Sequence, residues 1–269
     1  MSETDPRTDA PRVAPAAADD GLALAREAAA GGVVKRGYVR GVFSDIAPRY
    51  DLLNHLLSAN VDRRWRRLAI AQLDWPRRPD GRFLDLCAGT LDVAVQLAGT
   101  AGFRGRVIAA DFAEPMLRAG STKRAGRPVS PVVADALQLP LPTGSMAGAI
   151  VAFGARNLAD LDAGLREVHR VLEPGARFVV LEFSTPANAV VRAAYLAYFR
   201  HVLPLVGRLV SGHRSAYAYL PESVAHFPTG DALAARLRSA GFATVAWRPV
   251  TFGIAAIHTA VKGGAAQSP

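Results

Sequence analysis

The sequence is poor in cysteine and in lysine. Cys87 is the only cysteine among 269 residues, which excludes an intramolecular disulfide and any zinc site built from several cysteines. Lysine occurs only at positions 35, 123 and 262, so the formal net charge of +9 comes mostly from arginine. A basic surface of this kind suits nucleic acid, an anionic membrane or an acidic substrate, and composition alone leaves all three open.

Several catalytic and targeting signatures are also missing. There is no H-E-x-x-H pair, no G-x-S-x-G elbow and no P-loop lysine, so we expect neither a metal nor a hydrolase site. Residues 1–32 lack a basic start followed by an apolar stretch, which argues against a signal peptide. We expect a disordered N-terminal tail over residues 1–37, with a helix around LALAREAAA (residues 22–30) as the alternative for that stretch, and a flexible C-terminal tail over 263–269.

Long apolar runs are lacking as well. The best candidate, residues 190–210, is interrupted by Arg192, Arg200 and Pro204, so it falls short of a membrane span. Its apolar residues recur at helical spacing instead. The pattern predicts an amphipathic helix that packs on the domain or touches a membrane surface.

Strand-like and helix-like segments alternate along residues 82–183. The strand-like runs are followed by two more near the C-terminus; in order they read RFLDLC, GRVIAAD, PVSPVVAD, MAGAIVAF, ARFVVLEF, FATVAWRPV and GIAAIHTAVK. This alternation predicts an α/β fold with a mostly parallel seven-stranded sheet, helices on both faces and an antiparallel pair at one edge. We expect one domain over residues 38–262, with a helical lid at 38–75 and a helical insertion at 187–226 after strand 5.

Three aspartates fall at the ends of consecutive predicted strands: Asp85, Asp111 and Asp135. Ligands bind at the carboxyl ends of the strands in open parallel sheets, so these acids mark a candidate site. A single aspartate at such a place commonly caps a helix or forms a turn. Three on successive strands favour a ligand site over capping.

The segment FLDLCAGTLDVAVQLAG, residues 83–99, reads as a strand, a tight loop and a helix. It keeps Gly89 but has Cys87 and Leu91 where a dinucleotide loop would have more glycines. Asp92 in the first helical turn would repel a pyrophosphate. Because S-adenosylmethionine has no phosphate and carries an ammonium and a sulfonium, acids at this loop suit it. A side chain at position 91 would crowd the close backbone approach that glycine allows, and it either displaces the methionine portion of the cofactor or packs away from it. We expect cofactor binding that is weakened but retained, and tighter binding in Leu91→Gly.

These stretches resemble the ubiquinone/menaquinone C-methyltransferase family over about residues 38–262. The similarity is carried by VFSDIAPRYDLLNHLLSANVDRRWRR, by FGARNLADLDAGLREVHRVLEPGARFVVLEFSTP and by the C-terminal TFGIAAIHTAVK. The resemblance implies a Rossmann-like class I methyltransferase that moves a methyl group from S-adenosylmethionine to a ring carbon of a polyprenylated hydroquinone. The positions that match the family's cofactor contacts are Thr90, Asp111, Asp135 and Ala136, with Ala152 standing where the family has a serine and GTLD where it has GTGD.

Four residues are candidates for the acceptor side of the reaction. We hypothesise that Arg156 stabilises the phenolate or activates a water that takes its proton, and that Asn157 orients the ring. The alternative for this pair is a helix-capping loop after a strand. Tyr50 and His55 are candidates for contacts to the quinol oxygens, against the alternative that they merely cap a lid packed by leucines.

A polyprenyl tail would keep the acceptor in a bilayer, so the resemblance also implies transient contact with a membrane surface. We expect a cytoplasmic protein, peripheral at the inner face of a bacterial membrane, and possibly a homo-oligomer. The helix at 190–210 suits that contact, as does a basic patch with Trp65 at its centre; the patch comprises Arg63, Arg64, Arg66 and Arg67. A solvated helical face is the alternative for the patch.

Two other functions fit parts of the sequence. The net charge would suit an RNA methyltransferase, but FGARN stands where nucleobase amino-methylating enzymes typically have an Asn-Pro-Pro-aromatic element, so we expect no nucleic-acid partner. A weakly active or inactive scaffold protein of quinone biosynthesis would explain Leu91 and Ala152. A benzoquinol and a naphthoquinol acceptor remain equally open.

Overall fold

The computed structural model describes residues 18–51, 58, 60–198, 201 and 214–264. Its helices are α1 (Ala18–Ala30), α2 (Gly32–Ile46), α3 (Val61–Ile70), α4 (Asp92–Ala98), α5 (Glu114–Ala119), α6 (Leu161–Val171), α7 (Ala189–Ala197), α8 (Arg214–Ala225) and α9 (Gly230–Ser239). Its strands are β1 (Arg82–Leu86), β2 (Arg106–Asp111), β3 (Val129–Val133), β4 (Met146–Ala152), β5 (Leu172–Phe183), β6 (Phe242–Val250) and β7 (Ala255–Lys262).

The seven strands form one sheet in the order β3-β2-β1-β4-β5-β7-β6. Neighbours from β3 to β5 are parallel, and β7 runs antiparallel to both β5 and β6. The predicted fold class, with its closing antiparallel pair at one edge, is therefore confirmed. The chain reverses direction across the sheet at β1 and β4, and this switch point brings the carboxyl ends of β1, β2, β3 and β4 together.

The central strands are buried on both faces because helices cover each side. Leu84 and Ile150 have no exposed surface, and the whole of β4 up to Val151 is buried. Such strands read as continuous apolar runs rather than as alternating ones, which explains the sequence pattern of MAGAIVA. On one face α6 buries Leu165 and Val168, after a start at which the Asp160 carboxylate accepts the backbone N–H of Ala163.

Residues 18–37, the second half of the predicted tail, are almost entirely helical, which agrees with the helix considered for LALAREAAA and not with disorder. Residues 18–30 form α1 and residues 32–46 form α2, which starts five residues before the predicted tail ends. Ala25, Ala28 and Ala29 of α1 are buried with Val39 of α2 and Tyr219 of α8. A short alanine-rich helix gains little stability by itself, so tertiary packing rather than local propensity holds it. We call residues 32–51 the lid segment.

The insertion after β5 contains two described helices, α7 and α8. Asn188 begins α7, and its side chain accepts the backbone N–H groups of Val190 and Val191. The amphipathic helix predicted for 190–210 is described only through residue 198 and at residue 201. The remainder of that prediction lies outside the described residues.

Leu91 lies in the hydrophobic core and does not line the ligand cavity, so its side chain packs away from the cofactor, the second of the two possibilities that the sequence left open. The side chain has no exposed surface and packs with Val93, Ala94 and Leu97 of α4. The backbone of Leu91 has φ of 70°, a left-handed conformation that costs a leucine free energy and a glycine almost none. Core packing of the side chain offsets this backbone strain.

We expect the substitution Leu91→Gly to lower the free energy of unfolding by about 2 kcal/mol, because lost core packing outweighs the relieved backbone strain. Leu91→Ala should cost about 1 kcal/mol more, since alanine loses the packing and keeps the left-handed strain. Chemical denaturation measures both. An unchanged stability together with tighter S-adenosylmethionine binding in Leu91→Gly would show that the side chain reaches the cofactor after all.

Candidate functional site

An open cavity lies at the carboxyl ends of β1 to β4, beneath the lid segment. Its floor comes from the strand ends, among them Cys87, Ala110 and Ala152. Its roof comes from the lid segment, which contributes Phe43 and Tyr50 to the lining. The cavity is thus placed by the switch point of the sheet and covered by Phe43 and Tyr50, which lie within the stretch 38–75 for which the sequence predicts a helical lid.

Asp111 ties the glycine loop to the end of β2. Its carboxylate accepts the backbone N–H of Gly89 at 2.9 Å and that of Ala113 at 2.8 Å. Burial raises the pKa of Asp111, and the backbone hydrogen bonds oppose that rise, that of Ala113 most strongly. Asp111 also lines the cavity, so the same carboxylate shapes the loop and faces the ligand space.

Asp135 lines the cavity beside Ala136 and is bonded to the lid segment. Its Oδ2 lies 2.7 Å from Nη2 of Arg36 on α2, and its Oδ1 accepts the backbone N–H of Leu137. Ala152 lies across the same cavity at the end of β4. Arg36 was not predicted as a site residue, because α2 was interpreted as tail.

Gly89 and Thr90 form the sharp part of the loop that follows β1. Gly89 has φ of 51°, and a Cβ there would lie 3.4 Å from the methyl carbon of Met116 and 3.9 Å from a ring carbon of Tyr50. Thr90 is 3% exposed, and its hydroxyl donates to Oδ1 of Asp51 at 2.5 Å. Thr90 therefore joins the loop to the lid segment rather than to open ligand space.

A chain of ion pairs extends from Thr90 and holds the lid segment to the loop. Nζ of Lys123 lies 2.5 Å from Oδ2 of Asp51 and 2.6 Å from Oδ1 of Asp92. Arg66 completes the chain from α3, at 3.3 Å from Oδ2 of Asp92. Asp92 is thus neutralised by two cations. The negative charge of Asp92 therefore stabilises the fold through these ion pairs, and it also disfavours a phosphate ligand.

Asp85 is placed beneath the loop and not in the cavity, so its predicted role as a direct cofactor contact is not supported by its position. It is 1% exposed, and its Oδ2 accepts the backbone N–H of Ala94 in the first turn and a half of α4 at 2.9 Å. Burial raises the pKa of Asp85 to about 8. The side chain is a buried acid that anchors α4 to β1.

Arg156 and Asn157 follow β4, as the sequence predicted, but their surroundings differ. Arg156 is 8% exposed, and its Nη1 donates to Oε1 of Glu182 at 2.7 Å and also to the carbonyl of Phe153. Nε of Arg156 and Oδ1 of Asn157 are buried without a hydrogen-bond partner among the described residues. Orphaned buried polar atoms of this kind are expected where a ligand supplies the missing partners.

Glu182 is a site residue that sequence reasoning missed. It ends β5 in the segment VLEF, and strand-end acids were sought only on the first three strands. Its carboxylate accepts three N–H groups, from the side chain and backbone of Arg156 and from the backbone of Phe183. Both carboxylate oxygens of Glu182 therefore accept hydrogen bonds, and these fix the carboxylate beside Arg156.

The two predicted acceptor contacts have different outcomes. Tyr50 lines the cavity and makes an edge-on ring contact with Phe43 at 5.8 Å between centroids. Its position agrees with a contact to a bound ring. His55 lies outside the described residues.

The predicted basic patch of α3 is only partly a surface. Trp65 is 4% exposed and donates from its indole N–H to the hydroxyl of Thr251 at 2.8 Å, and Arg66 is bonded to Asp62 and Asp92. Only the remaining members, Arg63, Arg64 and Arg67, are exposed. The four-arginine patch around an exposed tryptophan is therefore wrong. Over the ranges that the structure describes, no helix is long and apolar enough to cross a membrane.

We expect Asp85→Asn to gain stability relative to the unchanged protein as pH rises. The folded state keeps the Asp85 proton to about pH 8, whereas the unfolded chain releases it near pH 4. The folded state of the unchanged protein therefore loses stability between pH 4 and pH 8, by up to about 1.4 kcal/mol per pH unit. The asparagine keeps the acceptor for Ala94 and cannot ionise.

Denaturation midpoints at pH 5 and pH 8 measure this difference. The free energies of unfolding of the two proteins should be similar at pH 5, and that of the variant should be higher by a few kcal/mol at pH 8. A variant that loses stability equally at both pH values would show that Asp85 is ionised in the fold. S-adenosylmethionine affinity should stay within a few-fold, because the side chain does not line the cavity.

Comparisons with known proteins agree with this geometry. Residues 32–262 match the model of the ubiE/COQ5 methyltransferase family. A demethylmenaquinone methyltransferase from Thermus thermophilus is 48% identical over 81% of this chain and 98% of its own length. A ubiquinone/menaquinone biosynthesis C-methyltransferase from Geobacter sulfurreducens is 44% identical over 84% of this chain and 88% of its own.

A solved structure supports the fold independently of close sequence similarity. A SAM-dependent methyltransferase from Thermotoga maritima, described as a possible histamine N-methyltransferase, superposes with a TM-score of 0.56 at 16% identity, covering 82% of this chain and 98% of that one. Only the fold is common at that level. The family match over residues 32–262 and the identities above 40% go further: the chain belongs to the ubiE/COQ5 methyltransferase family.

Proposed function

We propose that this protein transfers a methyl group from S-adenosylmethionine to a ring carbon of a polyprenylated hydroquinone. The observation that carries the proposal is the cavity in which two strand-end carboxylates, Asp111 and Asp135, adjoin Asn157, whose buried Oδ1 has no hydrogen-bond partner among the described residues. Relatives more than 40% identical are named as methyltransferases of demethylmenaquinone or of ubiquinone and menaquinone biosynthesis.

The residues that line the cavity fit S-adenosylmethionine. Asp111 at the end of β2 is placed to accept the ribose hydroxyls, as an acid at this position does in dinucleotide sites. Asp135 and the backbone of Ala136 are placed for the adenine, once the exposed ion pair of Asp135 with Arg36 opens or shifts. When bound, S-adenosylmethionine supplies an electrophilic methyl group on a sulfonium. The backbone of the loop at Gly89 leaves room for its methionine portion.

The acceptor ring is proposed to lie between Tyr50 and the segment after β4. Asn157 has a free buried acceptor, Oδ1, suited to a quinol hydroxyl. Arg156 has a free buried donor, Nε, suited to a quinol oxygen. Two such contacts would fix the ring in the plane needed for in-line methyl transfer. Because the methyl donor and the acceptor ring are intrinsically reactive, positioning of this kind supplies most of the rate enhancement.

We expect Asn157→Ala to lower kcat about 10- to 100-fold, because the ring loses an orienting hydrogen bond. S-adenosylmethionine affinity should remain within a few-fold. Labelled S-adenosylmethionine, offered with demethylmenaquinol, with the benzoquinol precursor and with tRNA, identifies the acceptor. Asn60→Gly is the matched control, because Asn60 is exposed, has a left-handed backbone and makes no capping hydrogen bond.

Methylated tRNA in place of a methylated quinol would overturn the proposed acceptor. Cofactor binding with no methylated product from any of the three would favour a scaffold protein instead. The proposal also fails if Asn157→Ala retains the full rate on the preferred quinol.

Membrane contact is proposed to follow from the lipid tail of the acceptor. Two apolar side chains of α7, Val190 at 78% and Leu196 at 41%, are exposed. Three arginines of α3 are also exposed: Arg63, Arg64 and Arg67. Apolar side chains at an interface and nearby basic ones are the two elements of peripheral attachment to anionic lipid. Such a protein would act at the inner face of a bacterial membrane.

We expect the double substitution Val190→Ser and Leu196→Ser to weaken binding to vesicles of phosphatidylglycerol and phosphatidylcholine several-fold, because both side chains lose their apolar contact. Replacement of the three exposed arginines by glutamine should weaken binding only to anionic vesicles and only at low salt. Flotation measures both. Val133→Ser is the control, since Val133 is an exposed valine of β3 outside α7. Equal flotation of all variants would exclude this attachment surface.

A further inference from the structure

Lys35 is a buried lysine to which the described part of the chain supplies no hydrogen-bond or ion-pair partner. It is 7% exposed, and no hydrogen bond or ion pair to it exists among the described residues. A buried ammonium normally has a carboxylate or several acceptors around it, because its desolvation is costly. The residue lies on α2, one turn before Val39, which lines the cavity, so both share the inward face of the lid segment.

The charges around Lys35 belong to the acceptor side of the site. Lys35 lies close enough to the Arg156–Glu182 pair to interact electrostatically with both members. Tyr219 of α8 and Tyr195 of α7 interact with the same pair, and Tyr50 interacts with Arg156. Both α2 and α8 pack against the segment Ala155–Asn157. We call the group of side chains formed by Lys35, Asn157, Tyr219 and the Arg156–Glu182 pair the headgroup chamber; of these residues, Asn157 lines the cavity described above.

The headgroup chamber holds polar atoms that the protein leaves unsatisfied. Nε of Arg156, Oδ1 of Asn157 and the hydroxyl of Tyr219 are buried without partners among the described residues. With the unpaired amine of Lys35, these atoms form a set of donors and acceptors that a ring with two hydroxyl groups would satisfy.

We propose that Lys35 is the general base of the reaction and takes the hydroxyl proton of the hydroquinone. This inference rests on the proposed function. The O–H bond of the hydroquinone breaks, its electron pair stays on oxygen, and the proton forms a new N–H bond at Nζ of Lys35. The ring carbon then forms a bond to the methyl group, and the electron pair of the broken methyl–sulfur bond stays on sulfur. The ring hydrogen is released to water as a proton. Lys35 finally returns its proton to the phenolate oxygen.

The electrostatics of the chamber favour this role. Burial lowers the pKa of Lys35, the positive charge of Arg156 lowers it further, and Glu182 opposes both. A lower pKa leaves more of the side chain as the neutral amine near neutral pH, which is the form that accepts a proton. Once protonated, the ammonium would stabilise the adjacent phenolate.

The neighbouring groups are poorer bases. The pKa of Arg156 is raised by Glu182, Tyr50 and Tyr219 against the effect of burial, so Arg156 stays charged. Both oxygens of Glu182 are occupied by N–H groups. Burial raises the pKa values of Tyr195 and Tyr219, and it raises that of Cys87 as well, so these groups stay protonated.

The test compares Lys35→Gln, Lys35→Met and Lys35→Arg with the unchanged protein, using a short-chain demethylmenaquinol kept reduced. We expect kcat to fall about 100-fold or more in all three, because glutamine and methionine cannot take the proton and a guanidinium stays protonated. S-adenosylmethionine affinity by calorimetry should stay within two-fold. Arg40→Gln, an exposed arginine on the same helix, is the control and should retain full activity.

Two readouts separate a base from a structural lysine. The kcat of the unchanged protein should rise with pH and level off above the pKa of Lys35, and this step should vanish in Lys35→Gln. A chlorinated hydroquinone has a hydroxyl that ionises more readily. With this substrate the kcat of Lys35→Gln should be at least 10-fold higher than with the unsubstituted hydroquinone, whereas the kcat of the unchanged protein should change little. Full activity in Lys35→Gln, or in Lys35→Arg, would overturn the proposal.

A binding measurement keeps this proposal distinct from the proposed function. Ultraviolet difference spectra of a bound naphthol analogue should show the ionised form in the unchanged protein and the neutral form in Lys35→Gln at the same pH. An ionised naphthol without methylation of any quinol would overturn the methyl acceptor and leave Lys35 as the base. A neutral naphthol in both proteins would overturn the role of Lys35.

Discussion

The buried pair of Arg156 and Glu182 joins the ends of β4 and β5, and the acceptor side of the site is organised around it. Burying two charges is costly, and the cost is offset only because Glu182 also receives two backbone N–H groups and Arg156 also donates to the carbonyl of Phe153. Nη1 of Arg156 donates hydrogen bonds to Glu182 and Phe153, so Nε remains available as a donor to a ligand. The same pair sets the electrostatic surroundings of Lys35, so loss of one partner would disturb both positioning and proton transfer.

The three aspartates predicted at the strand ends have different roles. Asp85 anchors α4 from below, Asp111 joins the glycine loop to β2, and Asp135 faces the cavity near the lid segment. Alternation of apolar and polar residues could place all three at the carboxyl edge of the sheet. It could not say which of them faces the ligand, because a strand buried on both faces has no polar side to set the orientation.

Similar limits explain the other departures from the sequence predictions. Arg66 and Trp65 share the inward face of α3 with Asp62 and Ala69, a spacing of three and four that argues against a surface patch and could have been used. The orientation of Leu91 depends on a left-handed backbone, for which leucine carries no sequence pattern. Local composition indicated a helix only around residues 22–30, because the helices of residues 18–37 depend on packing against each other and against α8, which no local pattern reveals.

Lys35 and Arg36 are adjacent on α2, and their side chains serve the two halves of the site. Arg36 reaches Asp135 at the cofactor side, while Lys35 interacts electrostatically with the Arg156–Glu182 pair. Arg36 is exposed and Asp135 is partly buried, so the pair between them is a weak one near the surface that a ligand can replace at little cost in free energy. The base is in place only when α2 is docked. A docked α2 also excludes water from the ring, so deprotonation of the acceptor is confined to the closed site in which the methyl group can be transferred.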